Sequence, residues 1–207
     1  MNQRRYPIPA GQHRVEEEIM RSRFITTAVP AGTIEEARAF VDRMREEFPD
    51  ATHNCWAFLV GSPGSSTRVG MSDDGEPAGT AGRPMLNILS HCPVGDIAVV
   101  VTRYYGGTKL GKGGLVRAYS GGVQLVLESL PTVEKVYRKK LTVVAEYSDV
   151  KTLKRLMTSH EAEIHDERFE VDVTYDLAVP DDQATDFRKP SYQPPTPERW
   201  WRLKRIN

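Results

Sequence analysis

Apolar positions change period several times along this chain, and each change predicts an element. Residues 23–28 read as a short strand. Thr33 stands three residues before Glu36, the spacing of a capping box. Behind it Ala37, Phe40, Val41, Met44 and Phe48 recur at helical spacing until Pro49 stops them. Residues 55–61 (CWAFLVG) predict a second strand, and a short helix is expected from Arg83-Pro84, where proline is tolerated in a first turn. The stretch 97–105 (IAVVVTRYY) is continuous and β-branched, the pattern of a strand buried on both faces. Beyond it Leu115, Ala118, Tyr119, Val123, Val126 and Leu130 mark one face of a long helix.

After Pro131 the pattern begins again. Leu141, Val143, Ala145 and Tyr147 alternate as a strand, Val150, Leu153, Leu156 and Met157 predict a helix, and a further strand falls around Ile164. Phe169, Val171, Val173, Tyr175, Leu177 and Val179 match a period of two and are read as one strand. Strand, helix, strand, strand is the larger part of a ferredoxin-like unit, which still needs a second helix and a fourth strand. Residues 181–189 begin a helix, but Pro190, Pro194, Pro195 and Pro197 oppose a regular helix or ladder after it. The segment 190–207 is therefore expected to be a proline-rich, basic, disordered tail, leaving the unit truncated with a sheet edge uncovered. A truncation or frame change near Lys189 would account for the abrupt shift in character.

Composition adds a division. The chain has 207 residues, enough for one large domain or two small ones. Fourteen of its sixteen glycines lie between Gly61 and Gly122 and none follows, so the first module is built around specialised loops and the second around plain helices and strands. Lys+Arg and Asp+Glu balance at 28 each, so any attraction to nucleic acid must be local. The opening residues lack the apolar core of a signal peptide, and the apolar run 97–101 is far too short to cross a bilayer. Two cysteines give no disulfide framework. These features predict a cytoplasmic protein with no membrane partner.

Two loops carry candidate chemistry. The first is Ser72-Asp73-Asp74-Gly75-Glu76, whose carboxylates either position the loop or help hold a metal. Its spacing is not that of a calcium loop, and self-bonding turn chemistry with Gly75 at positive φ is the favoured reading. The second, GGTKLGKGG at 106–114, imitates a phosphate loop between a buried strand and a helix. However, Gly113 stands where the motif needs a hydroxyl for magnesium, and the dinucleotide glycine pattern fails as well. What remains is a set of open amides at a helix N-terminus beside Lys109, Lys112, Arg103 and Arg117, suited to an oxyanion. The alternative is that the glycines serve only close packing. His53, Cys55, His91 and Cys92 fit no zinc spacing, and no complete catalytic motif occurs, so neither cofactor nor resident metal is expected.

At Arg103-Tyr104-Tyr105-Gly106-Gly107, closing on Leu110-Gly111, the sequence resembles the IMPACT family, within it the bacterial YigZ-like members. Gly82, Met85, Leu86, Leu89, Val94, Val100 and Val101 fall into the register of the same signature. Ser72 through Gly82 (SDDGEPAGTAG) match the second hallmark of the family, and His53, Cys55 and Trp56 match its entry motif. The resemblance implies an α+β protein of two domains. The N-terminal one, over 15–131, would be similar to the second domain of a small-subunit ribosomal protein and to domain IV of the ribosomal translocase. The C-terminal one, over 134–189, would be ferredoxin-like.

The resemblance also implies a link to translational control. The first reading is thus a non-enzymatic regulator that binds the ribosome, RNA or a translation-control protein. Its candidate contacts are Arg103, Tyr104, Tyr105, Gly106, Gly107, Lys109, Lys112 and Arg117, with Ser72, Asp73, Asp74 and Glu76 setting the loop. The alternatives are an enzyme acting on a small phosphorylated or nucleotide ligand at the same loops, and a module that binds only protein.

Overall fold

The computed structural model describes residues 5–65 and 67–187 and the backbone of 201–204. The chain divides into two units between Lys135 and Val136. The first holds a five-stranded antiparallel sheet in the order β2 (His13–Ile19), β3 (Ser22–Pro30), β6 (Ile97–Tyr104), β4 (His53–Leu59) and β5 (Val69–Ser72). Strand β6 pairs with β3 on one side and β4 on the other, as its unbroken apolar run predicts. Its side chains alternate between two cores. Ala98 and Val100 pack with Phe40, Val41 and Met44 of α1 (Ile34–Glu47). Ile97, Val99 and Val101 pack on the other face with α2 (Gly82–His91) and α3 (Gly111–Ser129).

Helix α1 starts where its capping residues dictate. Thr33 Oγ1 accepts from the Glu36 amide at 3.1 Å. Glu36 reaches back to the Gly32 amide at 2.7 Å, one residue earlier than the usual reciprocal bond. Strands β1 (Arg5–Pro9), β2 and β5 were not legible from the sequence. In β2 three successive glutamates mask the alternation, although Val15, Glu17 and Ile19 all share one face.

Strand β1 pairs with β7 (Thr132–Val136), and Asp96 secures this closure. Its side chain is buried at 2 % exposure, just ahead of β6, with φ at +45°. Oδ1 accepts from the Gly61 amide at 2.7 Å, and Oδ2 accepts from the Tyr6 hydroxyl at 2.9 Å and from Lys135 Nζ at 2.5 Å. One carboxylate thus ties the first strand, the loop after β4 and the last strand of the unit to the centre of the sheet.

The second unit runs β8 (Arg138–Ala145), α4 (Val150–Ser159), β9 (Glu163–Phe169), β10 (Val173–Pro180), α5 (Ala184–Phe187) and β11 (Trp201–Lys204). Its antiparallel sheet has the order β11-β8-β10-β9. Leu153 and Met157 of α4, with Ala184 and Phe187, cover one face of β8 and β10.

Two expectations are corrected. The period-two run from Phe169 to Val179 is a hairpin: Phe169 ends β9, Val173 opposite it opens β10, and Val171 stands at the tip with 93 % exposure. A three-residue loop preserves the parity of the pattern, so the turn is invisible to periodicity. The expected loss of the fourth strand is also overturned. Trp201–Lys204 pair with Ala145–Thr142 and cover that stretch of the β8 edge. The prolines oppose regular structure only over 190–197, and a four-residue strand needs little more than an open edge beside it. The disorder expected for 190–200 and 205–207 lies outside the described residues. Among the described residues, no helix is long and apolar enough to cross a membrane.

Candidate functional site

The acidic segment is a turn that closes on itself. Ser72 Oγ accepts from the Asp74 amide at 3.1 Å, Asp73 O accepts from the Glu76 amide at 2.9 Å, and Asp74 and Gly75 both take positive φ, 45° and 89°. Each carboxylate then reaches a different element. Asp73 caps α2 from outside, because Ala81 at the N-cap has no side chain to offer. Its Oδ1 accepts from Ala81 N (3.0 Å) and Gly82 N (2.8 Å), and its Oδ2 accepts from Gly79 N (2.8 Å). A side chain at Gly82 would stand 2.8 Å from the Ser72 backbone, so this close approach requires glycine. Asp74 accepts from the Asn54 amide at 2.7 Å and from Arg45 Nη2 at 2.8 Å.

Burial raises the Asp73 pKa, but the three amides outweigh it and hold the carboxyl below its ordinary range. The stability it lends is complete above the ordinary value and is lost as pH falls through the lower folded value. An Asp73→Asn variant is therefore expected to be markedly less stable near neutrality. Its deficit should shrink as both proteins are melted at decreasing pH, from about 5 towards 2. A deficit that does not vary with pH would show that the charge plays no part.

Glu76 enters the core. Its side chain is 3 % exposed, and Oε1 accepts from Arg103 Nη1 at 2.5 Å and from the Tyr119 hydroxyl at 2.7 Å. Burial pushes the Tyr119 phenol far above its ordinary value, so it stays protonated and donates. His53 stands beside this pair, its Nδ1 donating to Asp74 O at 2.8 Å and its Nε2 lying 3.9 Å from Glu76 Oε2. Cys55 donates through Sγ to Asp73 O at 2.9 Å, and burial raises its pKa, which leaves the thiol unreactive. Among the described residues no group of three His, Cys, Asp or Glu is gathered to hold a metal.

The guanidinium of Arg103 lies against two rings, 5.4 Å from the centroid of Phe24 and 5.5 Å from that of Tyr105. Arg103 is therefore withdrawn from solvent, which corrects its expected role as a phosphate contact. Parity with Val99 and Val101 on the inward face of β6 was the signal that could have shown this. Tyr105 covers it and remains 46 % exposed. Tyr104 turns to the surface, its hydroxyl donating to Asp50 Oδ1 at 2.9 Å. Gly106 packs so closely on the preceding hairpin that a side chain there would overlap Arg21 O, and its amide donates to Ser22 Oγ at 3.2 Å. Gly107 follows at a φ of +83°.

The glycine run is split between loop and helix. Residues 106–110 are loop, and Gly111–Gly114 form the first turn of α3, where no side chain caps the helix and no acid is present. Lys109, Lys112 and Arg117 are exposed around this end. The acidic turn and the Arg103–Gly107 segment meet through Glu76, whereas among the described residues Lys109 and Lys112 pair with none of the three carboxylates.

A wider asymmetry surrounds these loops. From residue 77 to 127 the exposed Lys, Arg, Asp and Glu side chains are Arg83, Lys109, Lys112 and Arg117, all cationic; the one acid of the stretch, Asp96, is buried. On the opposite face of the sheet α1 carries Glu35, Glu36, Asp42, Glu46 and Glu47 against Arg38, Arg43 and Arg45. The molecule is neutral as a whole but polarised across its first unit.

These features define an α+β protein of two units whose first unit presents a glycine-rich basic loop ordered by an internal ion pair. Residues 20–127 match the model of the Impact N-terminal domain, and residues 143–189 match a domain of unknown function, DUF1949. The chain belongs to the IMPACT family, as a bacterial YigZ-like member. It is 43% identical over 180 residues to IMPACT family member YigZ of Escherichia coli, covering 87% of this chain and 88% of that one. It is 42% identical over 174 residues to an IMPACT family member of Haemophilus influenzae, covering 84% of each. The rabbit Protein IMPACT is 33% identical over 107 residues, 50% of this chain and 33% of its own length. A crystal structure of a hypothetical protein superposes with a TM-score of 0.67 at 42% identity, covering 89% of this chain and 90% of that one.

Proposed function

We propose that this protein is a cytoplasmic, translation-linked regulator that binds RNA, including ribosomal RNA, through the α2–α3 face of its first unit. The observation that carries the reading is the exclusively cationic exposed charge over 77–127. Lys109, Lys112 and Arg117 contact phosphates, the open amides of α3 donate to an oxyanion, and Tyr105, backed by Arg103, offers a stacking surface. Ser72–Glu76 take no part in contact and set the loop. The reading in which these carboxylates hold a catalytic metal finds no support, because Asp73, Asp74 and Glu76 are already engaged by amides, Arg45, Arg103 and Tyr119.

Co-sedimentation with ribosomes at low and moderate salt tests the proposal. The wild type is expected to pellet in a salt-sensitive way, and a Lys109→Glu/Lys112→Glu variant to lose most of that pelleting. The slope of log affinity against log salt should fall by about two, one for each phosphate contact removed. A wild type that stays in the supernatant at low salt removes the ribosome from the proposal. A variant that pellets as well as the wild type removes the loop.

A further inference from the structure

The turn that joins β2 to β3 is strained, and its side chains serve nothing inside the fold. Ile19 pairs with Ser22, so Met20 and Arg21 alone make the bend, and both hold left-handed backbone, with φ at 48° and 66°. Two consecutive positive values mark a type I′ turn, whose preferred sequence is Asn-Gly because other side chains crowd the backbone there. Glycines apart, the other residues described with positive φ in the first unit are Asp74 and Asp96. Aspartate tolerates that region, and both carboxylates are bonded within the unit. Neither condition holds at the turn. Met20 is 56% exposed and belongs to neither apolar core of the unit. Arg21 is exposed, and among the described residues no hydrogen bond, ion pair or ring engages its guanidinium. Arg23, two residues on, is by contrast neutralised by Glu16, at 2.5 and 2.8 Å.

The glycine loop is built against this tip. Gly106 meets Arg21 O so closely that a side chain has no room. Ser22 Oγ, just past the turn, accepts from the Gly106 amide at 3.2 Å and from Arg103 Nη2 at 3.4 Å. The tip is thereby fixed beside the loop that carries Tyr105 and Gly107. We propose that the β2–β3 turn is a contact arm of the RNA-binding face, in which Arg21 meets a backbone phosphate and Met20 lies against the adjoining ribose or base. The inference rests on the RNA reading above and deepens it with two residues outside the glycine run. Backbone strain that nothing within the molecule offsets points to a side chain displayed for a partner. The chemistry of the tip suits nucleic acid: a guanidinium binds phosphate through two N–H groups, and beside it an unbranched, polarizable chain packs on a flat or irregular surface.

The test gives the turn the sequence its geometry prefers, Met20→Asn/Arg21→Gly, in the full chain. Urea denaturation reads stability, and filter binding of deproteinised ribosomal RNA over a range of salt reads affinity. The variant is expected to be more stable, its folded-to-unfolded ratio raised about threefold to tenfold after the freedom that glycine loses on folding is counted. It should bind RNA about fivefold to tenfold more weakly near 0.1 M salt, with a slope of log affinity against log salt smaller by about one. Arg21→Gly alone should account for the change in slope, and Met20→Asn alone should weaken binding at constant slope. A turn that serves only the fold would show the gain in stability without the loss in binding. That result, with Lys109→Glu/Lys112→Glu still weakening RNA, overturns the arm and leaves the RNA reading standing. A variant no more stable than the wild type also overturns it, because the strain it rests on is then absent. If the wild type binds no RNA at low salt, the RNA reading falls and the arm falls with it.

Discussion

An Arg103→Ala variant is expected to lose about 3–5 kcal/mol of stability, the cost of stranding one member of a buried ion pair. The Glu76 side chain, 3 % exposed, would keep the Tyr119 hydroxyl at 2.7 Å and His53 Nε2 at 3.9 Å but lose its one permanently charged partner among the described residues. The guanidinium also fills the space between Phe24 and Tyr105, so alanine adds a packing defect. Urea denaturation of both proteins measures the difference directly. A Glu76→Gln/Arg103→Met double variant should recover a substantial part of it, because no unpaired charge is left buried. A loss below about 1 kcal/mol, the usual value of an exposed pair, would mean that Glu76 reaches water. Under the RNA reading proposed above, the variant should also bind RNA more weakly, since Tyr105 loses the cation that holds its ring.

The second large effect is expected at Asp96. Replacement by alanine removes the acceptor of the Gly61 amide and the Tyr6 hydroxyl and leaves an alanine at a φ of +45°. An unsatisfied buried donor costs about 1–3 kcal/mol, and alanine tolerates the left-handed backbone less well than the aspartate it replaces. Lys135 contributes less to this sum, since its side chain is 32% exposed and the pair is partly screened by water. A total near 3 kcal/mol follows, with Asp96→Asn milder because it keeps one acceptor and tolerates positive φ. Limited proteolysis offers a local readout: β1 should be released first, so trypsin should cut at Arg5 in the variant well before the rest of the unit. Unchanged cleavage there would show that Asp96 does not hold β1.

The parts of the fold read correctly from sequence are those whose cause is local. The capping residues and spacing at 33–48 gave α1, and the β-branched run gave β6 its central position. The acidic segment was also expected to set the neighbouring loop. Its geometry was not, because Glu76 and Asp96 look like surface acids until partners far along the chain bury them. Tyr119 was placed in the core by its helical spacing, but nothing local shows that its hydroxyl reaches Glu76. In the second unit the hairpin at 170–172 escaped because its loop length kept the alternation intact. The last strand escaped because four residues carry almost no period.

Strands β1 and β7 lie side by side, so the backbone enters and leaves the first unit at one place. Such an arrangement makes the unit portable. It can be carried within another chain as an insert without pulling its host apart, and its natural ends could be joined by a short linker and new ones opened in a surface loop. The same adjacency means that a pull applied along the chain is taken up by the β1–β7 ribbon and the Asp96 bonds before it reaches the loops at the head of α3.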